Sequence, residues 1–80
     1  MWKEEHKALT RTFEFKNFIK AFSFMTQVAI EAEKLNHHPN WSNEYNVVII
    51  NLSTHDAGNI ITNKDRELAQ AIDRLLEDAG

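Results

Sequence analysis

Residues 9–15, Leu-Thr-Arg-Thr-Phe-Glu-Phe, alternate in polarity. Leu9, Phe13 and Phe15 fall on one side with Arg11, and Thr10, Thr12 and Glu14 on the other. A period of two with β-branched and aromatic residues predicts a half-buried strand. The preceding Met-Trp-Lys-Glu-Glu can pair with it as a hairpin turning near His6-Lys7, although no Gly or Asn marks that turn. From Asn17 the spacing changes. Phe18, Phe22, Met25, Ala29 and Ala32 are four, three, four and three residues apart, which makes one helical stripe, widened by Phe15, Ile19 and Val28. The predicted helix runs from about Lys16 to Leu35. Pro39 forces His38 into an extended backbone, so the helix ends before it, with Asn36 as a suitable terminating residue.

The segment from Asn40 to Thr54 is mostly strand-like but too long to be one strand. Some thirteen residues at ~3.3 Å each would carry His55 roughly 40 Å away from His38. The centre, Asn-Glu-Tyr-Asn, offers a hairpin instead, because Asn46 tolerates the left-handed conformation of a tight turn. Trp41 to Glu44 then goes out, Tyr45-Asn46 turns, and Val47 to Ser53 returns. Val48, Ile50 and Leu52 would face the helices. Val47 and Ile49 face the other way, and that second apolar patch points to a partner subunit. A last helix starts after Thr62, with Thr62 as cap and Asp65 at the third position. Leu68, Ala69, Ile72, Leu75 and Leu76 form its apolar face. The order β-β-α-β-β-α predicts an α+β two-layer sandwich: a four-stranded antiparallel sheet with both helices on one face. All 80 residues suit one small domain.

Composition narrows the possible roles. Hydrophobic residues at 42% and charged residues at 26% describe a folded chain, not a disordered one. A net charge of −3 without a basic run argues against nucleic-acid binding. The absence of cysteine excludes disulfides and thiolate metal sites. No apolar run is long enough to span a membrane, and the N-terminal stretch has no signal-peptide h-region. The simplest expected location is a reducing cytoplasm. A domain this small often gains stability by oligomerising.

The candidate chemistry is histidine. Of four histidines, three flank the second hairpin: His37 and His38 before it and His55 after it. If the hairpin forms, all three imidazoles reach one end of the sheet. His37 and His38 follow a helix C-terminus, whose carbonyls favour positive charge. Imidazoles are the side chains best suited to general acid–base work near neutrality. Glu33, one turn before His37, and Asp56, next to His55, could each orient a ring. Trp41 could supply a flat face for a planar heterocycle or be plain core. A three-histidine metal site is the sharpest alternative, but adjacent side chains on an extended backbone point apart and rarely share one ion. His6 reads as a surface-turn residue and Asp65 most simply as a helix-start residue.

The segments "EKLNHHPNW", "YNVVIINLSTHDAG" and "TNKDRELAQAID" together resemble the pterin-4a-carbinolamine dehydratase family. The upstream strand-then-helix run of phenylalanines fits the same pattern. The resemblance implies dehydration of 4a-hydroxytetrahydropterin to the quinonoid dihydropterin, which regenerates the cofactor of aromatic amino acid hydroxylases. It implies no metal or organic cofactor. His37, His38 and His55 match the family's active-site histidines. Glu33 matches the acidic position before the pair. Pro39, Thr54, Asp56 and Ala57 fall in pterin-contacting segments, with Trp41 nearby. Members form homodimers or homotetramers, and some also serve as adaptors of a transcription factor, so a non-catalytic dimerisation module is the alternative. Three departures stand out. The family's usual N-terminal helix before the first strand is absent from this sequence. The loop "AGNIIT" is one residue longer than usual, with Asn59 where a second Gly is common, which leaves the role of Asp65 open. Asn36 replaces a frequent Asp. The expected roles are His37 as acid, His55 as base and His38 as a ring holder.

Overall fold

A computed structural model describes residues 1–79. Strand β1 (Lys3–Glu5) and strand β2 (Ala8–Glu14) form the first hairpin. Its two turn residues, His6 and Lys7, both have positive φ, at 50° and 64°. Two consecutive left-handed residues match the twist of the flanking strands, which is why a two-residue hairpin forms without the usual Asn-Gly.

Helix α1 spans Phe18–Lys34. Asn17 caps its start by accepting a bond from the backbone N–H of Lys20 at 2.9 Å. Its end is a Schellman motif. Asn36 turns left-handed at φ 51°, its N–H donates to Glu33 O, and the His37 N–H donates to Ala32 O at 3.0 Å. Asn36 therefore terminates the helix as expected.

The buried face of α1 differs from the predicted stripe. Ala21, Phe24, Val28 and Ala32 are buried, whereas Phe18, Phe22 and Ala29 are exposed and Ile19 is 73% exposed. The helix carries two apolar stripes about a third of a turn apart or more. The sheet and the second helix take the one with alanines at positions 21 and 32, where small side chains permit close approach. Phe24 fills the space between, with its ring centroid 4.9 Å from those of both Phe13 and Phe15.

Strand β3 (Asn40–Glu44) and strand β4 (Val47–Leu52) form the second hairpin, turning at Tyr45-Asn46 as predicted. The left-handed residue is Tyr45, at φ 51°, and not Asn46. Asn46 instead clamps the neighbouring strand: its side-chain amide donates to Phe15 O, and its carbonyl accepts from Phe15 N, both at 2.8 Å. The Asn43 side chain donates to the carbonyls of Tyr45 and Val47, which holds the turn closed.

The sheet order is β1-β2-β4-β3, with every neighbouring pair antiparallel. Since β2 and β3 both run against β4, they are parallel to each other and are joined by α1 as a crossover. Val48, Ile50 and Leu52 are fully buried under the helices, and Ile49 points to the opposite face, 38% exposed. Helix α2 (Asn63–Ala79) closes the layer with Leu68, Ala69 and Ile72 in the core. Asp73 ties α2 to the first hairpin, accepting from Trp2 Nε1 at 2.9 Å and Arg11 at 2.8 Å. The architecture is the predicted α+β sandwich. No helix among the described residues is long and apolar enough to cross a membrane.

Candidate active site

The site follows from the register of β3 on β4. Asn40, the first residue of β3, pairs with Asn51, near the end of β4. The residues just before β3 and just after β4 therefore meet at one sheet end. An open cleft of about 230 Å³ lies there, lined by His37, His38, His55, Asp56, Thr54 and Lys64 among others. The three predicted histidines share one cleft, although 18 residues separate His37 from His55 in the chain.

Each ring has a different partner. His37 is buried, and its Nε2 lies 2.5 Å from Oδ1 of Asp65, a side chain with no solvent exposure. A carboxylate only accepts hydrogen bonds, so Nε2 donates and Nδ1 is the ring's remaining nitrogen. His38 is largely exposed, and its Nε2 meets Glu33 Oε1 at 2.9 Å on the solvent side. The inward and outward directions of these neighbours are the alternation of an extended backbone. His55 starts a short 3₁₀ turn, His55–Ala57, and its Nδ1 meets Asn59 Oδ1 at 3.2 Å. With that amide oxygen accepting, Nδ1 is the donor of this bond and Nε2 takes no part in it.

Asp65 is the residue that sequence reasoning undervalued. It does start the helix: its Oδ2 accepts from the Thr62 N–H at 2.8 Å, while the Thr62 hydroxyl accepts from the Lys64 N–H at 3.3 Å, a reciprocal cap. The same carboxylate also holds His37. Its sequence signals were its place at the third helical position and its presence in the "TNKDRELAQAID" segment that carries the family resemblance; which ring it meets is a tertiary fact. Lys64 also went unread, as a surface residue of a helix start.

The remaining predicted contacts divide. Thr54 is buried, with its hydroxyl 2.8 Å from Asp65 Oδ2 and 2.5 Å from Thr62 Oγ1. Asp56 lines the cleft. Asp56 and Ala57 also line an adjoining hollow of about 420 Å³, which shares Thr54 and Lys64 with the histidine cleft. Glu33 and Pro39 do not line the cleft. Trp41 sits opposite Ile50 on the helix-facing side of the sheet and packs against the core, also away from the cleft lining. The longer loop resolves simply: Gly58 and Asn59 are successive left-handed residues, at φ 86° and 60°, so Asn59 stands where a glycine would serve equally. A larger hollow of about 540 Å³ beside α1, walled by Phe15, Ile19, Phe24, Leu75 and Leu76, holds no histidine. Among the described residues, no three His, Cys, Asp or Glu side chains are grouped so as to hold a metal ion.

The two-layer α+β fold thus gathers three imidazoles at one cleft, one of them backed by a buried carboxylate. The chain belongs to the pterin 4 alpha carbinolamine dehydratase family, whose model matches residues 1–75. A protein of Prochlorococcus marinus (strain NATL2A), provisionally named pterin-4-alpha-carbinolamine dehydratase, is 53% identical over 75 residues, covering 94% of this chain and 78% of its own length. A Rhodospirillum rubrum protein with the same provisional name is 58% identical over 69 residues, covering 86% of this chain and 71% of the relative. Among solved structures, a transcriptional coactivator/pterin dehydratase from Brucella melitensis superimposes with a TM-score of 0.86 at 44% identity, covering 91% of this chain and 79% of that one. A pterin dehydratase-like protein described as a RuBisCO assembly factor in the alpha-carboxysome gives a TM-score of 0.77 at 26% identity, covering 92% and 87%.

Proposed function

We propose that this chain dehydrates 4a-hydroxytetrahydropterin to the quinonoid dihydropterin, as a hydro-lyase in recycling of the tetrahydropterin cofactor. The observation that carries the reading is the convergence of His37, His38 and His55 on one cleft, with the His37 ring braced by buried Asp65. Family membership and the names of the relatives agree with it.

The reaction breaks the N–H bond of the ring nitrogen beside the carbinolamine carbon. Its electron pair becomes the new C=N bond as the C–O bond breaks, and the departing hydroxyl takes a proton to leave as water. One group must give a proton and another must take one. In our reading His37 delivers its Nδ1 proton to the hydroxyl, while Nε2–H stays on Asp65. His55 accepts the ring-nitrogen proton at Nε2, the atom left free by Asn59. His38, outward-facing and partnered by Glu33, holds the substrate's edge. Asp56 and Ala57 border the adjoining hollow and are assigned to the pterin's amide edge, with Thr54 between the two spaces. Pro39 sets the extended backbone that separates the paired rings, and Trp41 and Glu33 are assigned to supporting them. Each proton transfer contributes about 10²–10⁴-fold. Stopped-flow dehydration of 4a-hydroxytetrahydropterin tests the reading. The chain accelerates loss of the carbinolamine; only the background rate would refute it and leave the adaptor reading, which the assembly-factor relative illustrates.

Self-association as a homodimer or homotetramer is part of the same proposal. It is supported by the exposed Phe18, Ile19, Phe22 and Ile30 of α1 and by Ile49 on the outer sheet face. Sedimentation analysis reads it directly, and a monomer at micromolar concentration would end it.

A further inference from the structure

We infer that Thr54 is a positioning residue that sets the seats of His37 and His55 together, through one directed chain of hydrogen bonds. The inference deepens the dehydratase reading and rests on it. Thr54 is only 7% exposed, and its hydroxyl has two oxygen neighbours, Asp65 Oδ2 at 2.8 Å and Thr62 Oγ1 at 2.5 Å. A hydroxyl has one proton. The carboxylate can only accept, so that proton goes to Asp65. Thr54 Oγ1 must then accept the proton of Thr62 Oγ1, which itself accepts from the Lys64 N–H. The chain runs one way, from the α2 backbone through two hydroxyls to Oδ2 of Asp65. The other oxygen of that carboxylate holds His37 Nε2. No rotation of either threonine improves one bond without breaking another.

The backbone of Thr54 organises the other ring. Its N–H donates to Ile60 O at 2.8 Å, and its carbonyl accepts from Ala57 N at 3.2 Å and Asn59 N at 3.0 Å. Asn59 is the residue whose side chain meets His55 Nδ1. One residue therefore fixes the carboxylate behind His37 with its side chain and the loop carrying His55 with its main chain. Its hydroxyl proton is already committed, so it has none to donate to a substrate. That separates this role from direct pterin contact.

The test uses Thr54→Val, which removes the hydroxyl at constant shape, and Thr54→Ser, which keeps it. Stopped-flow dehydration is followed across about pH 5 to 8, with histidine ¹⁵N spectra recorded in parallel. Thr54→Val lowers kcat by about ten- to a hundredfold, leaves KM within about twofold, displaces the pH–rate profile, and changes the His37 ring-nitrogen signals. Thr54→Ser restores most of the rate and the parent signals. If Thr54→Val retains the parent kcat and the parent His37 spectrum, the inference is wrong. If it raises KM alone, the hydroxyl serves substrate binding and the inference is also wrong. Should Thr54→Val fail to fold, Thr62→Val interrupts the chain one hydroxyl earlier with the same expectations. If the parent chain itself shows only background dehydration, the dehydratase reading falls, and the ¹⁵N spectra still decide whether Thr54 governs the state of the His37 ring.

Discussion

The Nε2 of His37 lies 2.5 Å from Oδ1 of Asp65, across 28 residues of sequence, and the carboxylate is fully enclosed. Its two oxygens receive donors from His37, Thr54 and the Thr62 main chain. An amide in its place offers one acceptor oxygen where the carboxylate offers two, so at least one of these donors loses its partner. Asp65→Asn is therefore expected to lower dehydration by roughly 10²-fold or more, and to cost about 1–3 kcal/mol of stability. Rate measurements and urea titration of the same preparation separate the two effects. An unchanged rate in a folded variant would remove Asp65 from the site.

His55 sits on an exposed turn, and among the described residues its one side-chain hydrogen bond is the 3.2 Å contact to Asn59. Removing its ring leaves no buried group unpaired. We expect His55→Ala to cut the dehydration rate by about 10²–10⁴-fold while its thermal unfolding stays close to the parent's. A variant that dehydrates as fast as the parent shows that the base lies elsewhere.

Tyr45 occupies the left-handed region at φ 51° with its side chain mostly in solvent. A non-glycine residue there costs energy that glycine does not pay. Against this stands the greater unfolded-state entropy of glycine. Tyr45→Gly is expected to raise stability by up to about 1 kcal/mol, read as a higher urea midpoint with an unchanged slope. A lowered midpoint would mean that the tyrosine ring contributes packing that its exposure does not suggest.

Phe24 and Phe22 lie on different faces of one helix, one at 6% and the other at 54% exposure. Phe24→Ala opens a cavity between Phe13 and Phe15 and is expected to cost about 3–5 kcal/mol. Phe22→Ala, measured at a concentration where the chain is a monomer, is expected to change stability by less than about 1 kcal/mol. Equal losses would contradict the orientation of α1.

Much of this molecule was legible from local pattern. The alternation at 9–15, the helix end at Asn36 and the turn at Tyr45-Asn46 are consequences of backbone sterics and side-chain period, and these act over a few residues. The convergence of the histidines was legible for the same reason, because a two-residue hairpin leaves its ends side by side. What failed or stayed open were choices between locally equivalent alternatives. Helix α1 has apolar residues on more than one face, and propensity does not rank them. Trp41 suits a strand either as core or as a platform, and only its pairing with Ile50 placed it against the core.

The chain's own pattern thus determined the number and order of its elements, the fold class and the gathering of three imidazoles at one sheet end. Tertiary structure alone decided which stripe of α1 is buried and which ring receives the buried carboxylate. The reason is physical. Secondary structure answers to neighbours within a turn or a strand pair, whereas the contact between His37 and Asp65 exists only after α1, β4 and α2 have packed, when enclosure from water obliges a charged oxygen to find its donors in the protein.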